Sequence, residues 1–170
     1  EDPSYVPLLR RTYTLWDELE KESGEKLFYQ TGSIDMGPED SQVFAGSLES
    51  CLEHDLEHEV LTAQQLTERF PGYRLPDNIK AVFQPQGGLL VPERCITAHV
   101  DIAKKHGATI HENERVQGWD ILGNGLVEVK TYSGTYSAEK LVICSGAWAY
   151  KHVPQLTEKA VPERQVLIWM

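Results

Sequence analysis

The sequence predicts a mixed α+β fold in which antiparallel-rich sheets are flanked by helices. Two patterns carry this prediction. Apolar side chains recur at helical spacing in several segments before Gly107, and short β-prone runs separated by turn residues dominate the remainder. Consecutive strands joined by tight turns pair antiparallel. There is no internal repeat and no low-complexity tract, so the chain does not suggest a solenoid or a disordered linker.

The chain should open with a helix and continue into a strand. Asp2 or Ser4 can cap a helix over roughly residues 4 to 23, and Gly24 can end it. Segment 26–36 is rich in β-prone residues with partial alternation, which predicts a strand or a bent pair of strands.

A second helix, a short strand and a third helix follow. Asp40 or Ser41 can cap the second helix, which should end near His54. Residues 59–61 predict the short strand, and Thr62 can cap a third helix that continues to Phe70. One face of the second helix is expected to carry its apolar side chains: Val43, Phe44, Leu48, Cys51 and Leu52.

The middle of the chain predicts a hairpin-like turn and a fourth helix. Residues 79–84 alternate as a strand, residues 85–88 turn the chain, and residues 89–91 form another short apolar run. Proline is favoured in the first turn of a helix, so Pro92 should begin a helix that closes at Gly107.

The last third predicts five short strands. Turns are expected at 123–125 and 133–134, where Gly, Asn and Ser cluster. The strands are Ala108 to His111, Arg115 to Ile121, Leu126 to Thr131, Thr135 to Ala138 and Leu141 to Cys144.

Composition excludes several classes of protein. With 16 Lys and Arg against 26 Asp and Glu, the net charge of −10 repels phosphate backbones, so we expect no nucleic-acid partner. No apolar run approaches the roughly 20 residues that span a bilayer, so we expect no membrane insertion. Three widely spaced cysteines do not suggest a disulfide framework, which makes a reducing cytoplasm the expected location.

The two ends of the chain suggest a part of a longer protein. The chain begins without Met in a helix signal, and the β-prone apolar run 165–170 stops abruptly. Natural proteins pair, cover or blunt such a strand edge. We therefore expect further segments of the same protein on both sides. A processed N-terminus with a buried C-terminal strand is the alternative.

Most motifs of catalysis are absent or weak. Cys51, His54 and His58 have a spacing typical of metal ligands, but they lack a fourth ligand and lie among acidic residues, so a solvated helix end is the better interpretation and we expect no metal. There is no Gly-x-Ser-x-Gly elbow, no Gly-x-x-x-x-Gly-Lys loop and no Gly-x-Gly-x-x-Gly fingerprint. No catalytic residue is therefore assigned.

The apolar run 141–144 and the small residues after it are the strongest candidate site. A wholly apolar strand indicates burial on both faces. Ser145, Gly146 and Ala147 at its carboxyl end would let a ligand or another backbone approach closely. Cofactors lie at this position in open α/β sheets. An ordinary strand-to-helix turn is the alternative.

Taken together, the segments resemble the flavin-dependent amine oxidases of the monomeric sarcosine oxidase and N-methyltryptophan oxidase type, within the D-amino-acid oxidase superfamily. The order and spacing of the matching segments carry the resemblance: 5–8, 15–20, 31–32, 69–72, 87–95, 134–136, 141–148 and 163–166.

The resemblance implies the central part of an FAD/NAD(P)-binding-type flavoprotein with part of its substrate domain. It implies that residues 1–27 lie on the FAD-domain side, that 28–90 belong to the substrate domain, that 91–160 belong to the FAD-binding domain and that 161–170 begin a strand crossing into the substrate domain. The dinucleotide-binding βαβ unit would precede this chain, and the flavin-linking Cys would follow it.

The implied activity is oxidation of the C–N bond of a secondary amine or N-methyl amino acid by FAD and O2, giving an imine and hydrogen peroxide. The isolated chain would be inactive. The cofactor-binding positions that carry over are Val116, whose backbone resembles the position that meets the FAD adenine, and the loop Ser145, Gly146, Ala147 and Trp148. An FAD-dependent enzyme with another electron acceptor, or a non-catalytic binding module of the same fold, stays as the alternative.

Overall fold

The computed structural model describes residues 2–168, which divide into two compact units: one runs up to Ile110 and the other begins at His111. The helices of the first unit are α1 (Val6–Ser23), α2 (Gln42–Glu53), α3 (Ala63–Arg69) and α4 (Pro92–Lys105). Its strands are β1 (Phe28–Tyr29), β2 (Ser33–Pro38), β3 (Glu59–Thr62), β4 (Ile79–Gln84) and β5 (Leu89–Leu90). The second unit contains β6 (Val116–Ile121), β7 (Val127–Thr131), β8 (Thr135–Ala138) and α5 (Ala149–His152).

The predicted start and end of the first helical segment are confirmed. The Asp2 carboxylate accepts a hydrogen bond from the Ser4 amide at 2.9 Å, at the start of a short 3₁₀ turn that leads into α1. Gly24 ends α1 in the left-handed region at φ 74°, and its N–H donates to the Glu20 carbonyl at 2.9 Å. Glycine reaches this conformation without the clash that a Cβ would cause.

Side chains of the predicted residues also cap α2 and α3. Ser41 Oγ accepts from the Phe44 amide at 3.3 Å. Thr62 and Gln65 form a capping box, in which each side chain accepts from the other residue's backbone N–H, at 3.2 and 2.9 Å. These caps satisfy amides that have no partner inside their own helix.

The core of the first unit surrounds the central strand β4. The sheet order is β2-β4-β3, with both pairs antiparallel. Val82 packs with Phe44 and Cys51 of α2, whereas Ala81 and Phe83 pack with Leu61 and with Leu66 of α3. Because successive strand residues point to opposite faces, β4 is covered on both sides.

Helices α1 and α4 pack together around Leu27. Leu27 is fully buried with Cys95 and Ala98, and Trp16, Leu19 and Leu90 cover this group. Two backbone amides, those of Leu27 and Phe28, donate to the Glu20 carboxylate at 2.7 and 2.8 Å. This carboxylate therefore fixes the chain as it leaves α1.

The second unit is an antiparallel sheet of order β6-β7-β8. Its two turns are those expected from the sequence. Gly125 donates to the Leu122 carbonyl at 2.9 Å, and the Thr131 amide donates to the Gly134 carbonyl at 2.9 Å. The Trp119 indole N–H donates to the His152 carbonyl at 3.1 Å, which holds α5 against β6.

Two of the five strands predicted in the last third are wrong. Segments 108–111 and 141–144 form no strand, and within the described residues no neighbouring strand pairs with either. A strand needs a ladder partner for its N–H and C=O groups, and apolar composition alone does not supply one. The expected burial of 141–144 is also wrong, because Val142 is 81% exposed.

Two smaller expectations fail as well. Val43 and Leu52 of α2 are 37% and 66% exposed, so the apolar face of this helix is narrower than the sequence indicates. Residues 165–168 carry no regular secondary structure, and the rest of the expected terminal strand, Trp169 and Met170, lies outside the described residues.

Candidate functional site

The candidate site is a cavity of about 240 Å³ in the second unit. One side is formed by β6 and β7, and the other side by the irregular segment 141–145, which precedes the short turn at Gly146. The lining is mostly apolar: Val116, Trp119, Val129, Leu141, Val142, Ile143, Cys144, Ser145 and His152.

The structure brings together two of the five residues that the sequence predicts for cofactor binding. Val116 and Ser145 lie 29 positions apart in sequence and line the same cavity. Gly146, Ala147 and Trp148 form a 3₁₀ turn directly after Ser145 and are not part of the lining. Trp148 is 61% exposed, and Gly146 has a φ of 54°, in the left-handed region.

The Ser145 hydroxyl is the most informative polar group of the cavity. Its Oγ has almost no contact with solvent, and no hydrogen-bond partner lies within reach among the described residues. A buried hydroxyl without a partner is costly, because it loses its hydrogen bonds to water without replacement. Because Oγ is inaccessible to solvent although the residue lines the cavity, a ligand atom would form a hydrogen bond with this orphan hydroxyl only after the side chain rotates.

A β-bulge in β6 shapes the wall of the cavity. Val116 is opposite Thr131 and Gly118 is opposite Lys130, so β6 holds one residue more than β7 over this interval. In a regular strand, residues three apart face opposite sides. The extra residue changes this alternation, and Val116 and Trp119 therefore both face the cavity.

Beside the cavity lies a hydrogen-bond network centred on Glu114, a residue that no pattern in the sequence singles out. The Glu114 carboxylate accepts from Thr131 Oγ1 at 2.5 Å and from the Tyr136 hydroxyl at 2.9 Å, and His111 Nδ1 lies 3.2 Å from it. Donation from Thr131, and then from Tyr136, lowers the pKa of the Glu114 carboxyl. The hydrogen bond to Glu114 also raises the pKa of the Tyr136 hydroxyl.

The first unit holds a larger cavity, of about 560 Å³. Tyr5, Leu9 and Tyr13 supply an apolar wall from the start of α1 and the turn before it. Asp35 is oriented by a hydrogen bond from Ser47 Oγ at 2.6 Å, and Ser47 is itself buried. The charged residues of the lining are mainly acidic: Asp2, Asp35, Asp55 and Glu57, against Arg10.

The three residues with metal-like spacing do not converge. Cys51 is buried, and burial raises the pKa of its thiol, with a further contribution from the charge of Asp35. His54 Nε2 lies 2.8 Å from the Pro3 carbonyl, and His58 Nδ1 lies 2.7 Å from the Leu56 carbonyl. Among residues 2–168, no group of three or more His, Cys, Asp or Glu side chains could hold a metal ion.

None of the helices in the described part of the chain combines the length and the apolar character needed to cross a membrane.

Solved structures with a similar fold are enzymes that oxidise amino acids. NikD, described as an unusual amino acid oxidase essential for nikkomycin biosynthesis, superposes with a TM-score of 0.77 at 28% identity, over 90% of this chain and 40% of NikD. L-proline dehydrogenase from P. horikoshii superposes with a TM-score of 0.73 at 26% identity, over 90% of this chain and 41% of the other. The class of fold is thus that of amino-acid oxidoreductases.

The chain belongs to the FAD dependent oxidoreductase family, DAO, whose model matches residues 1–170. It is 41% identical to monomeric sarcosine oxidase from Streptomyces avermitilis, over 99% of this chain and 44% of the relative. It is 37% identical to N-methyl-L-tryptophan oxidase from Yersinia pestis, over 99% of this chain and 45% of the relative. The chain therefore spans less than half the length of these curated relatives.

The residues present fit one part of FAD. The apolar cavity offers flat side-chain surface from Trp119, which suits a planar ring system. The sequence has no Gly-x-Gly-x-x-Gly loop to hold a pyrophosphate at a helix N-terminus. The cavity therefore suits a planar ring system of the cofactor better than its pyrophosphate.

Proposed function

We propose that this chain is part of an FAD-dependent oxidase that acts on the C–N bond of a secondary amine or an N-methyl amino acid. The observation that carries the proposal is the match along 99% of the chain to relatives named as oxidases of sarcosine and N-methyl-L-tryptophan. When bound, FAD supplies the hydride acceptor for this oxidation. Dioxygen is the proposed electron acceptor, and hydrogen peroxide is the second product.

The proposed cofactor-binding residues are Val116, through its backbone, and the segment Ser145, Gly146, Ala147 and Trp148. The shared cavity of Val116 and Ser145 supports this assignment, as does the unpaired Ser145 hydroxyl. The exposed turn at Gly146 leaves main-chain groups accessible to a cofactor next to the cavity.

The proposed division of the chain assigns residues 1–27 and 91–160 to the flavin domain, 28–90 to the substrate domain and 161–170 to the crossing between them. Packing of α1 against α4 supports the joint assignment of these two helices. The acidic lining of the first unit's cavity is complementary to a protonated amine, which supports a substrate role for its strands.

We place the protein in the cytoplasm. Cys51, Cys95 and Cys144 are all free, as expected where thiols stay reduced. The remaining segments of the same protein are its expected partners, and they would supply the pyrophosphate site and the groups that act on the substrate.

The test is an oxidase assay on the complete protein that carries residues 1–170. We expect flavin absorption bands, with sarcosine or an N-methyl amino acid consumed and hydrogen peroxide produced in equal amounts. The isolated 170-residue chain should give no peroxide. A flavin-bound protein that oxidises these amines only with an artificial acceptor would favour the alternative of an FAD-dependent enzyme with another electron acceptor. A complete protein that binds no flavin would favour the binding module.

A matched pair of variants tests the cofactor site in the same protein. Ser145→Ala removes the orphan hydroxyl, and we expect the dissociation constant for FAD to rise roughly five- to tenfold when flavin-free protein is titrated. Ser137→Ala, on exposed strand β8, is the control. Equal affinities of the two variants would remove Ser145 from the proposed site.

A further inference from the structure

Glu114 connects all three strands of the second unit. It lies two residues before β6, accepts a hydrogen bond from Thr131 at the end of β7, and accepts another from Tyr136 in β8. Its side chain is only 9% exposed. Thr131 Oγ1 also accepts from the amides of Ser133 and Gly134 at 3.1 and 3.0 Å, so the carboxylate is connected to the β7–β8 turn as well.

The strand register places this network on the same face of the sheet as the cavity. Residues directly opposite in an antiparallel pair share a face. Trp119 is opposite Val129, and Val129 is opposite Tyr136. Thr131 lies two positions from Val129 and is opposite Val116. The donors to Glu114 therefore share a face with Val116, Trp119 and Val129, which line the cavity.

The network lies next to the one ladder position before the bulge. Val116 pairs with Thr131, and the register then shifts before Gly118, which leaves Gln117 as the extra residue. A bulge leaves the extra residue's backbone groups outside the ladder, where they are able to meet a ligand. Asn113, at φ 57°, turns the chain so that Glu114 approaches the sheet immediately before this point.

We infer that Glu114 is a positioning residue. Together with Thr131 and Tyr136, it fixes the Val116–Gly118 bulge, so that the backbone of the bulge and the side chain of Val116 meet the adenine end of FAD. This inference rests on the proposed function, and it assigns Glu114 no direct contact with the cofactor. Its role is to hold a backbone conformation that an unanchored strand end would not keep.

The experiment compares Glu114→Gln with Glu112→Gln in the complete protein. Gln has the shape of Glu but loses the charge that strengthens the bonds from Thr131 and Tyr136. Glu112 is exposed, two residues away. We expect Glu114→Gln to raise the dissociation constant for FAD about tenfold. The constant for FMN, which has no adenine, should stay unchanged, and amide hydrogen exchange at Gln117 and Gly118 should become faster.

Each outcome has one meaning. If the unmodified protein binds no FAD, the proposed function fails. If it binds FAD and Glu114→Gln binds it equally well, the positioning role is wrong. Equal losses of affinity for FAD and FMN would also overturn it, because they indicate general destabilisation. If Glu114→Gln does not fold, Tyr136→Phe removes one donor and keeps Thr131. We then expect a loss of affinity for FAD that is smaller than that of Glu114→Gln, with no loss of affinity for FMN. Unchanged affinity for FAD would contradict the inference.

Discussion

The two units differ in how completely they bury their apolar side chains. The first contains Leu27 and Leu66, both at 0% exposure, together with the rest of the buried core. From His111 to Ile168, no described residue is buried, and Ile121 and Val142 are 70% and 81% exposed. Packing energy is therefore concentrated in one unit and the candidate cofactor cavity in the other. Segments with few buried contacts open at low free energy, as is common for ligand-binding regions.

The largest effect is expected at the centre of the first unit. Leu66→Ala leaves a hole between α3 and the sheet, and we expect the free energy of unfolding to fall by about 2–5 kcal/mol. Denaturant titration followed by circular dichroism measures it. Leu52→Ala on α2 is the control, because Leu52 is 66% exposed and its truncation should cost less than about 0.5 kcal/mol. Similar losses for both variants would contradict the packing contrast.

A smaller effect is expected at the end of α1. Glu20→Gln weakens the bonds from the Leu27 and Phe28 amides and removes the ion pair with Lys26, whose Nζ lies 3.0 Å from Glu20 Oε2. We expect a loss of about 1–2 kcal/mol in the free energy of unfolding. Glu25→Gln, on an exposed residue nearby, should be close to neutral.

The pH dependence of this variant gives a second readout. Donation from the Phe28 amide, with that of Leu27 and the Lys26 ammonium, lowers the pKa of Glu20. A carboxyl group whose pKa is lower in the folded state contributes its full stabilisation of the fold at a pH above its pKa in the unfolded state. This stabilisation is lost as the pH falls through the pKa of the folded state. The stability difference between the unmodified protein and Glu20→Gln should therefore shrink in acid. A constant difference from neutral pH to below the ordinary glutamate pKa would exclude the ionic contribution.

The smallest effect is expected in the second unit. Val129 is half-buried between Trp119 and Tyr136, so Val129→Ala should lower the free energy of unfolding by about 1 kcal/mol. Val142→Ala, at an 81% exposed position, serves as the control and should be near neutral. A loss at Val129 equal to that at Leu66 would show that the cavity wall is as tightly packed as the core.

Local signals predicted the fold of the first unit well. Capping residues such as Asp2, Ser41 and Thr62, and end signals such as Gly24, act within a few residues of the backbone groups that they satisfy, so the sequence displays them directly. The failures at 108–111 and 141–144 have a different cause. Strand formation depends on a partner that is remote in sequence, and β-prone composition does not reveal whether that partner is present.

The candidate site could be predicted only in part. The small residues after position 144 and the family resemblance pointed to Ser145 and Val116, which do line one cavity. The Glu114 network joins side chains up to 25 positions apart, and no local pattern marks it. Gly118 is the one sequence signal for the bulge, since a glycine inside a strand often marks such a site.

The single extra residue in β6 also affects how this strand is compared with its relatives. After Gln117, the side chains of β6 alternate between the two faces of the sheet in the opposite order from those before it. A relative without the bulge therefore has a strand that is one residue shorter at this point. An ungapped alignment through 116–119 would then match cavity-facing side chains with side chains on the opposite surface. Sequence differences in this stretch can be related to cofactor contacts only when it is known which side chains of each strand face the cavity.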